Sequence, residues 1–388
     1  MMTLEQRALD CMRQAVDNHE CAGLSLLVLK DGRETLYAEA GYADVADARP
    51  IRRDSIFRLY SQSKPVTAAA AMLLMERGVI DLADPVEKYL PGFRHQRVCA
   101  AEGLVPVNRP VQLLDLLGMT SGLCYPDADA PGQYAARLFE EQQSLMRSGG
   151  GMDTVTFANR MGELPLAFQP GDQFRYGTSA DVLGAVIEAA AGMPFADFLR
   201  REFFEPLGMK DTAFWVPPEK RDRFVTCYKR VPGGVEPFRD LHLAVGDYDR
   251  EPAFSSGGAG LVSTLDDYAA FAEMLMNEGS YRGQRMMKPA TVRYMTQPQL
   301  NDHAARTFWD SLSGFSYGKL MRIAVRPGQC AYLISEGEYG WDGWLGTYFA
   351  NLPKERVTFL LMQNATDTGT AAVTRKLRNI VLSGLSEG

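Results

Sequence analysis

The residues most able to do chemistry sit together at Ser61-Gln62-Ser63-Lys64. A serine hydroxyl at its ordinary pKa is a poor nucleophile and needs a base beside it. On a helix, positions i and i+3 share a face, so Lys64 can set its amine beside the Ser61 oxygen. A serine in the first turn also keeps its backbone N–H free, in the positive end of the helix dipole, where it can bind a developing oxyanion. A helix N-cap followed by a solvated lysine would have the same spacing. Against that plainer reading, the helix after Lys64 has no polar face until Glu76, and a lysine committed to a buried helix needs a partner or a function. To serve as a base its amine must be lowered by burial from about 10.4.

The elements that position this pair follow from periodicity. Helical apolar spacing runs from Leu4 to Asn18. A β-rich run covers Leu24 to Leu29, Lys30-Asp31-Gly32 turns the chain, and Glu34 to Ala40 reads as a second strand. The pattern predicts one helix from Ser61 to Arg77, apolar nearly all round and closed by Gly78. Another is expected from about Ala180 to Ala191, with Thr178 and Asp181 as its capping box and Gly192 at its end. Thr264 and Asp267 cap a further helix reaching about Asn277. Strands are expected over Ala331–Ser335, Gly340–Leu352 and Val357–Gln363, then a helix over Ala371–Leu382. The stretch 94–175 mixes short helical patterns with Gly/Pro/Asp-rich loops, and 216–256 is rich in loops. Strands at both ends and helices between them predict an α/β (α+β) fold. One lobe is built from about 1–57 and 255–388, and a mostly helical lobe from 58–254 is inserted into it, with a cleft between.

Composition narrows the function. At 388 residues the chain is longer than single cores usually grow, and 46% hydrophobic with 23% charged residues is ordinary for a soluble globular protein. A net charge of −7 and the lack of a basic stripe argue against nucleic acid as partner. No apolar run approaches the roughly 18–20 residues of a membrane span, and no leader is recognisable at the N-terminus, so the expectation is a cytoplasmic protein without a membrane. The six cysteines (Cys11, Cys21, Cys99, Cys124, Cys227 and Cys330) are scattered and read as free thiols. Four histidines without HExxH spacing give no metal site, and no cofactor is implied. Gly257-Gly-Ala-Gly260 lacks the strand–loop–helix context of a dinucleotide fingerprint. Gly384-Leu-Ser386-Glu-Gly388 fits GxSxG but has no strand before it or helix after it. The oligomeric state is left open.

Several segments, in order along most of the chain, resemble the serine β-lactamase-like superfamily. Within it they are most similar to class C β-lactamases and family VIII carboxylesterases. They are Phe57-Arg-Leu-Tyr-Ser-Gln-Ser-Lys-Pro-Val-Thr67, Gly78-Val-Ile-Asp-Leu-Ala-Asp-Pro85, Tyr89-Leu-Pro-Gly-Phe93, Leu113-Leu-Asp-Leu-Leu-Gly-Met-Thr-Ser-Gly-Leu123, Pro170-Gly-Asp-Gln-Phe-Arg-Tyr176, Ser256-Gly-Gly-Ala-Gly-Leu261 and Gly340-Trp-Asp-Gly-Trp-Leu-Gly-Thr347. The resemblance implies a β-lactamase/penicillin-binding-protein-like fold with an antiparallel sheet flanked by helices. It places the second motif, Tyr-x-Asn, at Tyr176-Gly177-Thr178, making Tyr176 the general base or a partner of Lys64 in that role. Thr178 departs from the family asparagine. It either offers a hydroxyl to the site or caps the next helix, and capping is the reading preferred. The third motif, Lys-Thr-Gly in β-lactamases, falls on Trp341-Asp342-Gly343, so the cation that holds a substrate carboxylate is absent. Family VIII esterases often carry Trp-Gly-Gly there. The resemblance also makes the Trp344 N–H the second oxyanion donor and the glycine run 257–260 a close-packing segment beside the site. An inward-pointing Asp342 would repel an anionic substrate.

The reading is therefore a serine hydrolase that works through an acyl-enzyme. Ser61, Lys64, Tyr176 and Trp344 are its catalytic set; Thr178, Trp341, Asp342 and Gly343 are its substrate-binding set. Small esters are the expected substrates. Cleavage of β-lactams or D-amino-acid peptides is the alternative within the mechanism. A non-catalytic relative that uses the cleft for binding is the alternative outside it.

Overall fold

The computed structural model describes residues 2–246 and 248–385. Helix α1 (Leu4–Asp17) starts where Thr3 accepts a hydrogen bond from the Gln6 N–H and the Gln6 side chain accepts one from Thr3, satisfying two orphan donors of the first turn. Helix α2 (Lys64–Glu76) is buried on every side from Lys64 to Leu74 and is followed by Gly78 at φ +69°. Helix α3 (Ser179–Ala191) ends at Gly192, also in the left-handed region, and packs against α2. Helix α4 (Leu265–Met276) is capped by Thr264, whose hydroxyl accepts from the Asp267 N–H. Helix α5 (Ala372–Leu385) lies against α1.

Eight strands form one sheet. Three come early: β1 (Gly23–Lys30), β2 (Arg33–Asp44) and β3 (Arg49–Pro50). Five come late: β4 (Phe315–Tyr317), β5 (Arg322–Ala324), β6 (Tyr339–Asp342), β7 (Tyr348–Leu352) and β8 (Val357–Gln363). Their order is β4-β5-β6-β7-β8-β1-β2-β3, antiparallel throughout. The two ends of the sequence meet where β1 pairs with β8, Leu24 opposite Gln363 and Lys30 opposite Val357. Side chains alternate between two cores. Leu24, Leu26, Val28, Phe359 and Leu361 pack with α1 and α5, while Leu27, Leu29, Leu360 and Met362 join the larger core that contains α2, α3 and α4. Cover on both faces explains why these strands read as unbroken apolar runs.

Some sequence expectations need correction. No strand forms over 331–335. The Leu333 N–H goes to Asn379 Oδ1 and its carbonyl to Arg378, so the segment is held by side chains of α5 instead of a sheet neighbour. The run 340–352 is two strands, divided by a tight turn in which the Gly346 N–H bonds to the Gly343 carbonyl. Strands β4 and β5, too short to carry a period-2 signal, were not foreseen. Gly384 falls within α5, and Ser386 lies outside the described residues.

Beneath the sheet, Arg378 of α5 and Glu338 form a fully buried ion pair at 2.6 Å. Glu338 Oε1 and Arg378 Nη1 make no hydrogen bond, so the pair is not fully compensated for its lost hydration. Arg378→Met alone leaves Glu338 without its ion-pair partner. It is expected to lower unfolding stability by about 3–5 kcal/mol, and Glu338→Leu added to it to recover most of that loss, in urea melts at pH 7.

Candidate active site

The helix expected from Ser61 to Arg77 does not begin at Ser61. Residues Tyr60–Ser63 form a tight 3-10 turn, and α2 takes over at Lys64. Tyr60 enters this turn at φ +46°, a left-handed conformation unusual for an aromatic residue. Its neighbours hold it there. Gly343 approaches the Leu59 carbonyl so closely that a Cβ would lie 2.2 Å from the oxygen, and Thr347 Oγ1 donates to that same oxygen at 3.0 Å. The Tyr60 ring packs on Trp344 and His242, at centroid distances of 5.0 and 5.7 Å. Gly343, expected among the substrate-binding residues, thus sits as a packing residue beneath the turn. The tight turn keeps the Ser61 N–H out of the helical ladder. Among the described residues it donates to no protein acceptor, and the same holds for the Trp344 N–H in the turn after β6. The Trp344 side chain is anchored separately: its indole N–H donates to Asp367 Oδ1 at 2.7 Å and its ring stacks on His242 at 3.9 Å.

Lys64 is fully buried, with Nζ 3.1 Å from Ser61 Oγ, 3.2 Å from the Tyr125 hydroxyl and 2.8 Å from the Gly258 carbonyl. Burial draws its pKa down to about 7, while Asp181 and Asp342 pull the other way. The Gly258 carbonyl is itself fixed. The N–H of the same peptide, on Ala259, donates to the Ser256 hydroxyl at 2.9 Å, while that hydroxyl and the Gly258 N–H both donate to Asp181 Oδ1, at 2.5 and 3.0 Å. Side chains are excluded here: a Cβ on Gly258 would lie 2.9 Å from both the Asp181 carboxylate and the Tyr125 hydroxyl. Asp181, read from the sequence as half of a capping box, therefore faces the lysine instead. Burial raises its carboxyl, opposed chiefly by the Lys64 charge and then by the Ser256 bond. Thr178 makes no capping hydrogen bond, which corrects the expected role. It lines a small apolar cavity with Leu123, Cys124 and Phe139, whose walls do not include Ser61, Lys64 or Tyr176.

Tyr176 reaches the site from the segment before α3. Lys64 Nζ lies over its ring, 4.5 Å from the centroid. Its hydroxyl accepts a 3.0 Å hydrogen bond from the Trp341 indole N–H. Burial pushes the phenol well above its ordinary range, and the bonds to Ser61 and Trp341 only partly oppose this. Trp341, considered from the sequence as sheet packing, does pack in β6 and also orients the tyrosine. Asp342 is not a free charge at the mouth: Arg322 Nη1 meets it at 3.0 Å and Thr370 Oγ1 at 3.1 Å, and Arg322 is fully buried. The structure thus brings together Ser61, Lys64, Tyr176, Trp341 and Trp344. It adds Tyr125 and Asp181, which sequence reasoning did not place there, and gives Gly258, in the glycine run expected beside the site, a carbonyl contact to Lys64. Tyr125 and Lys64 are too far apart in the chain for any spacing rule to join them. A constellation with a half-ionised amine beside a hydroxyl, two unengaged backbone N–H groups and a protonated phenol can carry out acyl transfer.

Comparison with known proteins bears on the family and the fold. The Beta-lactamase family model matches residues 9–382. Esterase EstB of Burkholderia gladioli is 30% identical over 383 residues, which cover 95% of this chain and 92% of that one. Acyltransferase calJ of Penicillium decumbens is 28% identical over 324 residues, 78% of this chain and 74% of that one. The solved structure of EstCE1, described as a hydrolase with promiscuous acyltransferase activity, aligns with a TM-score of 0.82 at 28% identity, covering 97% of this chain and 98% of that one.

Two expectations follow from the electrostatics. Asp181→Asn removes a charge that raises Lys64, so the Lys64 titration midpoint moves to lower pH in NMR of isotopically labelled lysine; an unchanged midpoint would show that the carboxylate does not act on the amine. Lys64→Met concerns stability. The folded pKa of Lys64, about 7, lies below its ordinary 10.5. Below pH 7 both states carry the proton and the native state bears the whole desolvation penalty. Between 7 and 10.5 the unfolded chain binds more protons, so stability rises with pH. Lys64→Met combined with Asp181→Asn, which leaves neither charge buried alone, is expected to stabilise by about 1–3 kcal/mol at pH 6, and by less at pH 9, in thermal melts.

Proposed function

Because the chain belongs to the Beta-lactamase family, we propose that it is a serine hydrolase that forms an acyl-enzyme on Ser61 and acts on small carboxylic esters. The observation that carries this reading is the Lys64 amine, 3.1 Å from Ser61 Oγ in a setting that lowers its pKa to about 7. At neutral pH about half of these amines are free bases able to take the serine proton. Ser61 Oγ attacks the ester carbonyl carbon as its proton passes to Lys64. The carbonyl oxygen becomes an oxyanion held by the Ser61 and Trp344 N–H groups. Tyr176 remains protonated because burial raises it, so it acts as donor. The phenol protonates the departing alkoxide as the C–O bond breaks and regains a proton from the Lys64 ammonium. Water, or a second alcohol, then attacks the acyl-enzyme through the same groups in reverse. This assigns the base role to Lys64 and the shuttle role to Tyr176.

Small esters are preferred over β-lactams and D-amino-acid peptides for a reason in the site. Those substrates present a carboxylate, and the third motif offers Trp341-Asp342-Gly343 where a cation would receive it. The nearby cation, Arg322, is buried and already paired with Asp342. EstB and EstCE1, named as an esterase and a hydrolase, support the same choice.

A fluorophosphonate probe should label the protein, and Ser61→Ala should abolish labelling and lower kcat for a short p-nitrophenyl ester by a factor on the order of 10⁴ or more. Tyr176→Phe should lower kcat by roughly 10²–10⁴ with little change in KM. Efficient turnover of a chromogenic cephalosporin with negligible ester turnover would overturn the substrate assignment. Absence of labelling by any acyl or phosphonyl probe would overturn the catalytic reading in favour of a binding protein.

A further inference from the structure

Trp309 is 41% exposed, although its ring touches four others. It lies 5.1 Å from the ring of Tyr176 and 6.3 Å from that of Trp341, nearly parallel to the latter at 23°. Phe308 and Phe174 back it from the protein side, at 6.5 and 5.7 Å. Its loop is tied to the strand of chain that carries Tyr176, since Thr307 Oγ1 accepts a 2.8 Å hydrogen bond from the Phe174 N–H. An aromatic surface held on one side and open on the other is built to stack something planar. Its position says which part of a substrate that is. The oxyanion turns toward the Ser61 and Trp344 N–H groups, so the leaving alcohol must turn toward the proton donor, Tyr176. Of the three rings beside Tyr176, which are Tyr125, Trp341 and Trp309, the exposed one is Trp309, and the first atoms beyond the leaving oxygen come within its reach.

We propose that Trp309, backed by Trp341, is a stacking subsite for the alcohol portion of the substrate, and that the preferred esters are those of aryl-bearing alcohols of the benzyl type. The inference rests on the acyl-transfer reading for the direction of the leaving group. Charged alcohols are disfavoured at this subsite: its walls are Trp309, Trp341, Tyr176 and Phe308, and the Asp342 carboxylate is engaged by Arg322.

The test compares benzyl acetate with ethyl acetate, which share an acyl group and therefore a common deacylation step. Wild-type protein should favour the benzyl ester in kcat/KM. Trp309→Ala should lower the benzyl-to-ethyl selectivity roughly five- to tenfold, chiefly through KM of the benzyl ester, and Trp309→Phe should retain most of it. A selectivity unchanged in Trp309→Ala overturns the subsite. A second readout needs no turnover: the dissociation constant of benzyl acetate for Ser61→Ala protein, by calorimetry or ligand-observed NMR, should rise by a similar factor when Trp309→Ala is added. If wild type hydrolyses neither ester, the catalytic reading fails, and this titration still decides the subsite: weakened binding supports it and equal binding overturns it.

Discussion

An ammonium group held out of water is the constraint on which this site depends. Lys64 opens an otherwise apolar helix, and nothing in α2 can solvate it. Such a group survives folding only if neighbours supply hydrogen bonds and its proton becomes easy to lose. The first condition is met by parts of the fold that have no other evident reason to converge, the Gly258 carbonyl, the Tyr125 hydroxyl and Ser61 itself; the second is met by burial, against the pull of the Asp181 carboxylate. The same desolvation that burdens the native state makes the amine a base at neutral pH. Stability and reactivity are opposed here at one atom.

The elements around the lysine are arranged by backbone more than by side chains. The glycine run at 257–260 lets a carbonyl come within 2.8 Å of Lys64 Nζ, and Asp181 holds the N–H of the same residue. Gly343 and Thr347 pin the Leu59 carbonyl, which forces the turn that frees the Ser61 N–H. One turn of β6–β7 therefore supports the Tyr60–Ser63 turn and also carries Trp344. Buried Arg322 completes the frame by neutralising Asp342, so that the carboxylate next to the cleft is held as structure.

Much of this was legible in the sequence, and the divisions are physical. Ser61 and Lys64 could be paired because helical spacing is a local rule. Helices α1 to α5 carried caps or periodicity strong enough to be read. Sheet faces were readable where both were buried, as in β1 and β8. What could not be read was tertiary. The carboxylate of Asp181 looked like a cap because its neighbour Thr178 has the right type, yet its hydrogen bonds go to residues 75 and 77 positions away. Asp342 looked like a repulsive charge because Arg322 lies on another strand. Tyr125 had no signal at all. The tight turn at Tyr60–Ser63 was hidden because its cause is a glycine and a threonine from the far end of the chain.

The pairing of β1 with β8 has a consequence for how the molecule comes into being. The register Leu24 to Gln363 joins segments made at opposite ends of synthesis. Until Val357–Gln363 has been made, β1 has β2 on one side and an open, apolar edge on the other, the kind of surface that invites pairing with another chain. The Leu59 clamp also waits, because Thr347 and Gly343 arrive in the same late stretch. A nascent chain would thus hold Ser61 and Lys64 without the turn that frees the Ser61 N–H, and their arrangement would be completed only as the sheet closes.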